Sequence, residues 1–169
     1  KEIVKEIHKH AKQPIIFALS NPTMKSECTA EQAYKWTKGA AIFASGSPFD
    51  PVRLAGKIYV PGQGNNMFIF PGVGLGASLC QTQTITDGMF YAAAKALAEM
   101  VTEEELLLGT VYPDLRKIRK ISATIATEVC QMAFDEGIAG IDRPDDIKKF
   151  VKSKMYIPEY PKYVASADT

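Results

Sequence analysis

Two short, unbroken apolar runs, each closed by a polar turn, set the pattern of the first third of the chain. Pro14–Leu19 (PIIFAL) runs into Ser20-Asn21-Pro22-Thr23, and Ala40–Ala44 (AAIFA) runs into Ser45-Gly46-Ser47-Pro48. Continuous runs of this kind fit strands covered on both faces in a parallel sheet. Between them, Thr29-Ala30-Glu31-Gln32 has the spacing of a capping box, in which a hydroxyl and an amide each satisfy an orphan backbone donor. Ala30, Ala33, Tyr34 and Trp36 supply the apolar side of the helix that follows, and Gly39 stops it. About twenty residues separate the two turns, more than the dozen that a parallel crossover needs. Such a crossover is right-handed. The SNPT and SGSP turns are therefore expected at one edge of one parallel sheet, outside the strand carboxyl ends, where open α/β sheets bind ligands.

The pattern then changes. Lys57–Val60 (KIYV) reads as a short strand after a turn at Gly56, and Pro61-Gly62-Gln63-Gly64-Asn65-Asn66 as a loop rich in glycine and side-chain amides. From Phe70 onward the periodicity is helical. Pro71–Thr82 reads as a helix with proline in its first turn. Asp87–Met100 is an alanine-rich helix with Phe90, Ala94, Leu97 and Met100 on one face. Thr102–Glu105 is a second capping box before a short helix ended by Gly109. Arg116–Glu136 is the clearest amphipathic helix, with Ile118, Ile121, Ile125, Val129 and Met132 at intervals of three or four. Beyond Gly140 the chain is polar, carries Pro144, Pro158 and Pro161, and reads as a surface tail. At the start, Lys1–Lys12 reads as a helix with Ile3, Val4 and Ile7 on one face. A helix leading straight into a buried strand, with Lys1 and not Met in first place, suggests the middle of a domain, hence a fragment of a longer protein or a chain whose partner segment lies elsewhere. These readings give an α/β class: the C-terminal part of a doubly wound, Rossmann-like parallel sheet (1–66), followed by a mostly helical C-terminal region and tail (67–169).

Composition narrows the function classes. The 169 residues are 46% hydrophobic and 23% charged, the balance of a globular chain and not a disordered one. Twenty Lys+Arg against nineteen Asp+Glu leave a net charge of +1, so neither a nucleic-acid footprint nor an acidic tail is expected. No apolar run reaches the ~18 residues of a membrane helix. Cys28, Cys80 and Cys130 are widely spaced, with no CxxC and no nearby histidine, which argues against a disulfide framework or zinc site and for a reducing compartment.

Candidate chemistry is sparse. Gly72-Val73-Gly74-Leu75-Gly76-Ala77 is spaced GxGxGA and not GxGxxG, so it reads as small residues that let helices approach closely, not as a dinucleotide loop. Pro22 pushes Asn21 toward extended backbone and sends its carboxamide off the strand end in a defined direction. An Asx-turn and a ligand contact are equally open for it. Gln63, Asn65 and Asn66 bring three amides among two glycines, a set that can hold a carboxylate, hydroxyl or carboxamide without adding charge, or simply form a surface turn. His8 and His10, two apart on a lysine-rich helix, do not share a face. Ser20 lacks a nucleophile elbow, and Ser45 and Ser47 have no triad partners. Asp50 is a lone acid. The residues form no complete catalytic set, and no catalytic residue is assigned.

The wording and order of Pro14–Ala77, PIIFALSNPT through ECTAEQAY, ASGSPFDPV and PGQGNN to FIFPGVGLGA, resemble the carboxyl-terminal part of the malic enzymes. Weaker similarity continues through Tyr112-Pro113 and Ile118–Ala126, and the segment from Met155 (MYIPEYPKY) is most similar to the plant NADP type. The resemblance implies oxidative decarboxylation of L-malate to pyruvate and CO2, with NADP+ (or NAD+) as hydride acceptor and Mg2+ or Mn2+ as Lewis acid. It implies that Asn21 and Asn66 contact substrate, and that Asn21, Asn65, Ser20 and Ser45 lie against the cofactor. The family's tyrosine acid, lysine base, acidic metal ligands and glycine-rich cofactor loop have no counterparts here, and Tyr34, Tyr59 and Lys57 do not stand in for them. The chain alone is thus expected to be inactive, one wall of a cleft. The resemblance also implies a homo-oligomer, tetramer or dimer, in the cytoplasm or an organellar matrix or stroma. An isolated assembly segment, or another doubly wound dehydrogenase, are the alternative readings.

Overall fold

A computed structural model describes residues 1–160; Pro161 of the expected tail lies outside that span. The parallel pair is present. Strand β1 (Ile15–Ala18) runs beside β2 (Ile42–Ser45) in the register Ile15 to Ile42 through Ala18 to Ser45. They are joined by helix α2 (Ala30–Trp36), whose Thr29–Gln32 capping box is made in both directions. Helix α1 (Glu2–His10) precedes β1.

Four features of this first half differ from expectation. Strand β1 is covered on one face only: Ile16 and Ala18 are buried, but Ile15 and Phe17 are 63% and 44% exposed. On α1, Val4 is buried while Ile3 is 76% exposed, so only one edge of its apolar stripe meets the core. The KIYV strand is not alone. Val52–Leu54 (β3) and Lys57–Tyr59 (β4) form an antiparallel hairpin, with Ala55 and Gly56 both at positive φ, as a tight two-residue turn requires. The GQGNN loop begins as a strand as well: Gly62–Gln63 (β5) pairs parallel with β2, giving the sheet order β1-β2-β5. A hairpin, not a helix, thus makes the second parallel crossover.

The core of this half gathers Ile16, Ala18, Ala33, Tyr34 and Phe43 between the sheet and its helices. Tyr34 stacks on Tyr59 with ring centroids 4.7 Å apart, and Tyr59 in turn fills the space over Gly39, which sits at φ +81°. A side chain at Gly39 would meet both a strained backbone and that ring.

The second half has its own core, built on α3 (Phe70–Leu79), α4 (Asp87–Ala98), α6 (Ile118–Asp135) and α7 (Ile147–Lys154). A short helix, α5 (Glu103–Leu107), carries the second capping box. Ile121, Ile125 and Val129 of α6 are fully buried, as their spacing predicts; residues 115–117 form a 3₁₀ turn ahead of the helix. The GxGxGA run works as close packing. A methyl on Gly72 would lie 2.6 Å from Ile125 Cβ, and one on Gly76 2.8 Å from Val129 Cβ, whereas Gly74 faces open space. The two glycines, one helical turn apart, let α3 and α6 pack backbone to side chain.

Two further expectations need correcting. The buried face of α4 is Met89, Ala93, Ala96 and Leu97; Phe90 is 51% exposed and Ala94 is exposed too. In an alanine-rich helix both sides look apolar in sequence, and the partner α6 decides which side is covered. The stretch beyond Gly140 is not all surface tail. Asp146 accepts a hydrogen bond from the Lys149 amide and starts α7, whose Ile147 and Val151, one turn apart, are buried against α6.

Gly72→Ala and Gly76→Ala are expected to destabilise the protein by about 1–3 kcal/mol each, the usual cost of overpacking. Gly74→Ala should be neutral or stabilising by up to about 1 kcal/mol, because the exposed helix gains propensity and meets nothing. Urea unfolding midpoints order the three variants.

Candidate functional site

At the carboxyl edge of the sheet the strands do not simply end; backbone amides of the turns continue the ladder. The Gly46 amide donates to the Ala18 carbonyl at 3.2 Å and the Gly64 amide to the Ser45 carbonyl at 2.8 Å. These bonds carry the SNPT turn, the SGSP turn and the GQGNN segment to one rim. A side-chain link adds to them: Ser47 Oγ donates to Asn21 Oδ1 at 2.6 Å. Asn21 thus does not close an Asx-turn on its own backbone. It reaches across to the next turn and keeps its amide nitrogen for another partner. Gly46 makes this possible, since a methyl there would sit 2.3 Å from the Leu19 carbonyl and 2.8 Å from both Asn21 amide atoms. The Asn21–Pro22 peptide is cis.

The remaining candidates divide. Asn65 Oδ1 accepts from the Met67 amide at 3.0 Å, capping a 3₁₀ turn (Asn66–Phe68). Its NH2 group has no partner among the described residues. Asn66 is exposed at the start of the same turn. Both line a cleft of about 480 Å3, whose walls include Phe17, Leu19, Ile69 and Tyr112. Asn21 is not among the residues that line that cleft; Leu19 reaches both turns, its carbonyl abutting Gly46 and its side chain Gly64. Ser20 turns away from the rim. Its hydroxyl and amide both donate to the Glu27 carboxylate, and the hydroxyl is the main cause of a Glu27 pKa below the ordinary glutamate value. Ser45 is fully buried and its hydroxyl donates to the Ser47 carbonyl at 2.8 Å, bracing the turn from beneath.

Tyr112 is the residue at this site that periodicity does not reveal. It comes from the helical half and lies against the loop of the first half. Its ring stacks on Phe68 (5.5 Å between centroids) and tilts against Phe17 (6.2 Å). A methyl on Gly62 would be 3.3 Å from the ring, and one on Gly64 3.1 Å from the phenol oxygen. The loop glycines therefore admit the protein's own tyrosine, where sequence suggested they admit a ligand. Burial pushes the Tyr112 phenol up in pKa. Glu105 holds the segment in place: its carboxylate accepts from the Thr102 amide at 2.8 Å and from the Asp114 amide at 3.0 Å. The Thr102 bond is the largest cause of a Glu105 pKa below the usual range. The Val60 amide donates to Leu108 O at 3.1 Å, so the end of α5 is also tied to the approach to β5.

A family model described as "Malic enzyme, NAD binding domain" matches residues 1–134. The chain belongs to the malic enzyme family. Among similar proteins, an NADP-dependent malic enzyme from Dictyostelium discoideum is 56% identical over 161 residues, which are 95% of this chain and 30% of that protein. One from Phaseolus vulgaris is 52% identical over 164 residues, 96% of this chain and 28% of its own length. The chain thus spans less than a third of these malic enzymes. Two solved structures are similar. The malic enzyme from Pyrococcus horikoshii Ot3 superposes with a TM-score of 0.66 at 29% identity, over 89% of this chain and 30% of that one. The Entamoeba histolytica malic enzyme gives 0.63 at 26%, over 83% and 26%. The fold is accordingly a Rossmann-like parallel sheet followed by a mostly helical region.

Gly46→Ala is expected to break the Ser47–Asn21 hydrogen bond and cost about 1–3 kcal/mol. An unmoved Asn21 side-chain amide resonance together with unchanged unfolding would contradict that account. Because the native Glu105 pKa is depressed, its contribution is full above the ordinary glutamate value, 4.5, and is lost as pH falls through the lower native value. Glu105→Ala should therefore reduce stability by about 1 kcal/mol at neutral pH, with the gap to wild type closing in acid unfolding curves.

Proposed function

We propose that this chain supplies one wall of the substrate and dinucleotide cleft of an NADP-preferring malic enzyme, which converts L-malate to pyruvate and CO2. The observation that carries the reading is the meeting of SNPT, SGSP and GQGNN at the carboxyl edge of one parallel sheet, joined by the Gly46, Gly64 and Ser47 hydrogen bonds. In this reading residues 1–66 belong to the dinucleotide-binding portion and 67–169 to the helical region, in keeping with two separate cores.

The rim fits a nicotinamide. The Asn65 NH2 group, unpartnered among the described residues, suits a carboxamide or phosphate oxygen, and the Phe17, Leu19 and Tyr112 side chains offer an apolar wall to a flat ring. The bound cofactor supplies the hydride acceptor. Asn21 and Asn66 orient malate by neutral hydrogen bonds. Malate is a dianion that loses charge as CO2 departs, so neutral donors hold it without deepening the ground state. Ser20 acts through Glu27 and Ser45 through the SGSP turn, both as supports of the cofactor side of the rim. For the divalent ion the donor set does not fit: among the described residues no group of three or more His, Cys, Asp or Glu comes together. No step is therefore assigned to a metal on this chain.

In the full-length enzyme, Asn21→Ala and Asn66→Ala should each lower kcat/KM for malate by about 10²-fold or more, near 2.7 kcal/mol of transition-state stabilisation. Turnover within about threefold of wild type in both variants would overturn the assigned roles.

A further inference from the structure

Far from that rim, α6 and α7 form a groove of about 390 Å3 whose charged lining is wholly cationic: Arg119 and Lys120 from α6, Lys148 and Lys152 from α7. Its uncharged lining is Ala123, Thr124 and Thr127 of α6 with Met155 and the 62% exposed Ile157 beyond α7. Lys148 and Lys152 are one turn apart, a like-charged spacing that disfavours the helix by itself. None of the four cations forms an ion pair among the described residues, while Lys9, Lys35, Lys95, Arg116, Lys117 and Arg143 do. Among the described residues Arg119 is held in orientation by one bond, Nη2 donating to the Tyr156 carbonyl at 2.6 Å, and the rest of its fork has no partner there. The Thr127 hydroxyl is spent on the Ala123 carbonyl; that of Thr124 is not engaged among the described residues.

We propose that this groove binds a small multivalent anion of the phosphate class, with its phosphate groups between the α6 cations Arg119 and Lys120 and the α7 cations Lys148 and Lys152. Four positive charges lining one groove, with no carboxylate in that lining, favour a ligand with several negative charges on adjacent groups. An Arg fork and lysine ammonium groups are the donors that suit phosphate oxygens. The volume is that of a small-molecule site and too small for a folded partner. The site is independent of the malate reading and uses none of its residues.

The test is lysine reactivity in the full-length protein with inorganic tripolyphosphate as probe. Acetylation rates at Lys120, Lys148 and Lys152, read by mass spectrometry, should fall about tenfold at saturating probe, while Lys5 and Lys12, which do not line the groove, stay unchanged. Lys148→Gln combined with Lys152→Gln should abolish the protection of Lys120; Lys5→Gln combined with Lys12→Gln should not. Succinate, carrying two carboxylates, should protect at least tenfold more weakly. No protection, equal protection of all five lysines, protection of Lys120 that survives the double replacement, or equal protection by succinate would each overturn the proposal.

Discussion

A parallel sheet must place its strand ends together, because every strand runs the same way and every crossover returns the chain to the opposite edge. In this chain the constraint goes one step past the strands. The amides of Gly46 and Gly64 donate to the carbonyls of Ala18 and Ser45, so the first residues of two turns remain in register with the sheet. Remove those bonds and SNPT, SGSP and GQGNN are three unrelated loops. With them, Asn21 is close enough to Gly46 that the two compete for the same space, and the Ser47 hydroxyl finds the Asn21 oxygen. Buried main-chain groups must find partners, and here that requirement shapes the rim.

The rim is then held from outside its own sheet. Tyr112, delivered by the segment after α5, fills the surface that Gly62 and Gly64 leave bare and stacks on Phe68 at the start of the second core. Glu105 fixes the approach to Tyr112 by accepting from Thr102 and Asp114 at once. Behind them, α3 and α6 lie as close as Gly72 and Gly76 permit. The chain therefore carries the amide side chains of this rim at strand ends and braces them with residues from the helical half.

Much of this was legible beforehand. The two capping boxes, the parallel pair, the shared edge of SNPT and SGSP and the packing role of the glycine run all rest on local rules: hydrogen-bond satisfaction at helix ends, crossover length, and motif spacing. The misreadings share one cause. Strand β1 was expected to be covered twice, α4 to bury Phe90, and the region beyond Gly140 to lie on the surface; in each case the pattern shows which residues are apolar but not which neighbour arrives to cover them. Strand β3, which turns the expected strand at Lys57 into a hairpin, and the two-residue β5 were missed because segments so short carry almost no periodicity. Tyr112 was visible only as part of a resemblance, since an aromatic residue before a proline has many uses.

What the amino-acid order determined by itself is local and directional: where helices start and stop, which runs become strands, that two polar turns fall at one sheet edge, and that the residues between Pro14 and Ala77 carry the wording of malic enzymes. The tertiary structure alone decided that Asn21 bonds to Ser47 and not to its own backbone, that Ser45 points inward, that the loop glycines receive a tyrosine, and that four cations from α6 and α7 face one groove. These are contacts between residues tens of positions apart. Their energies depend on distances that only the packed chain defines, and no spacing along the sequence encodes them.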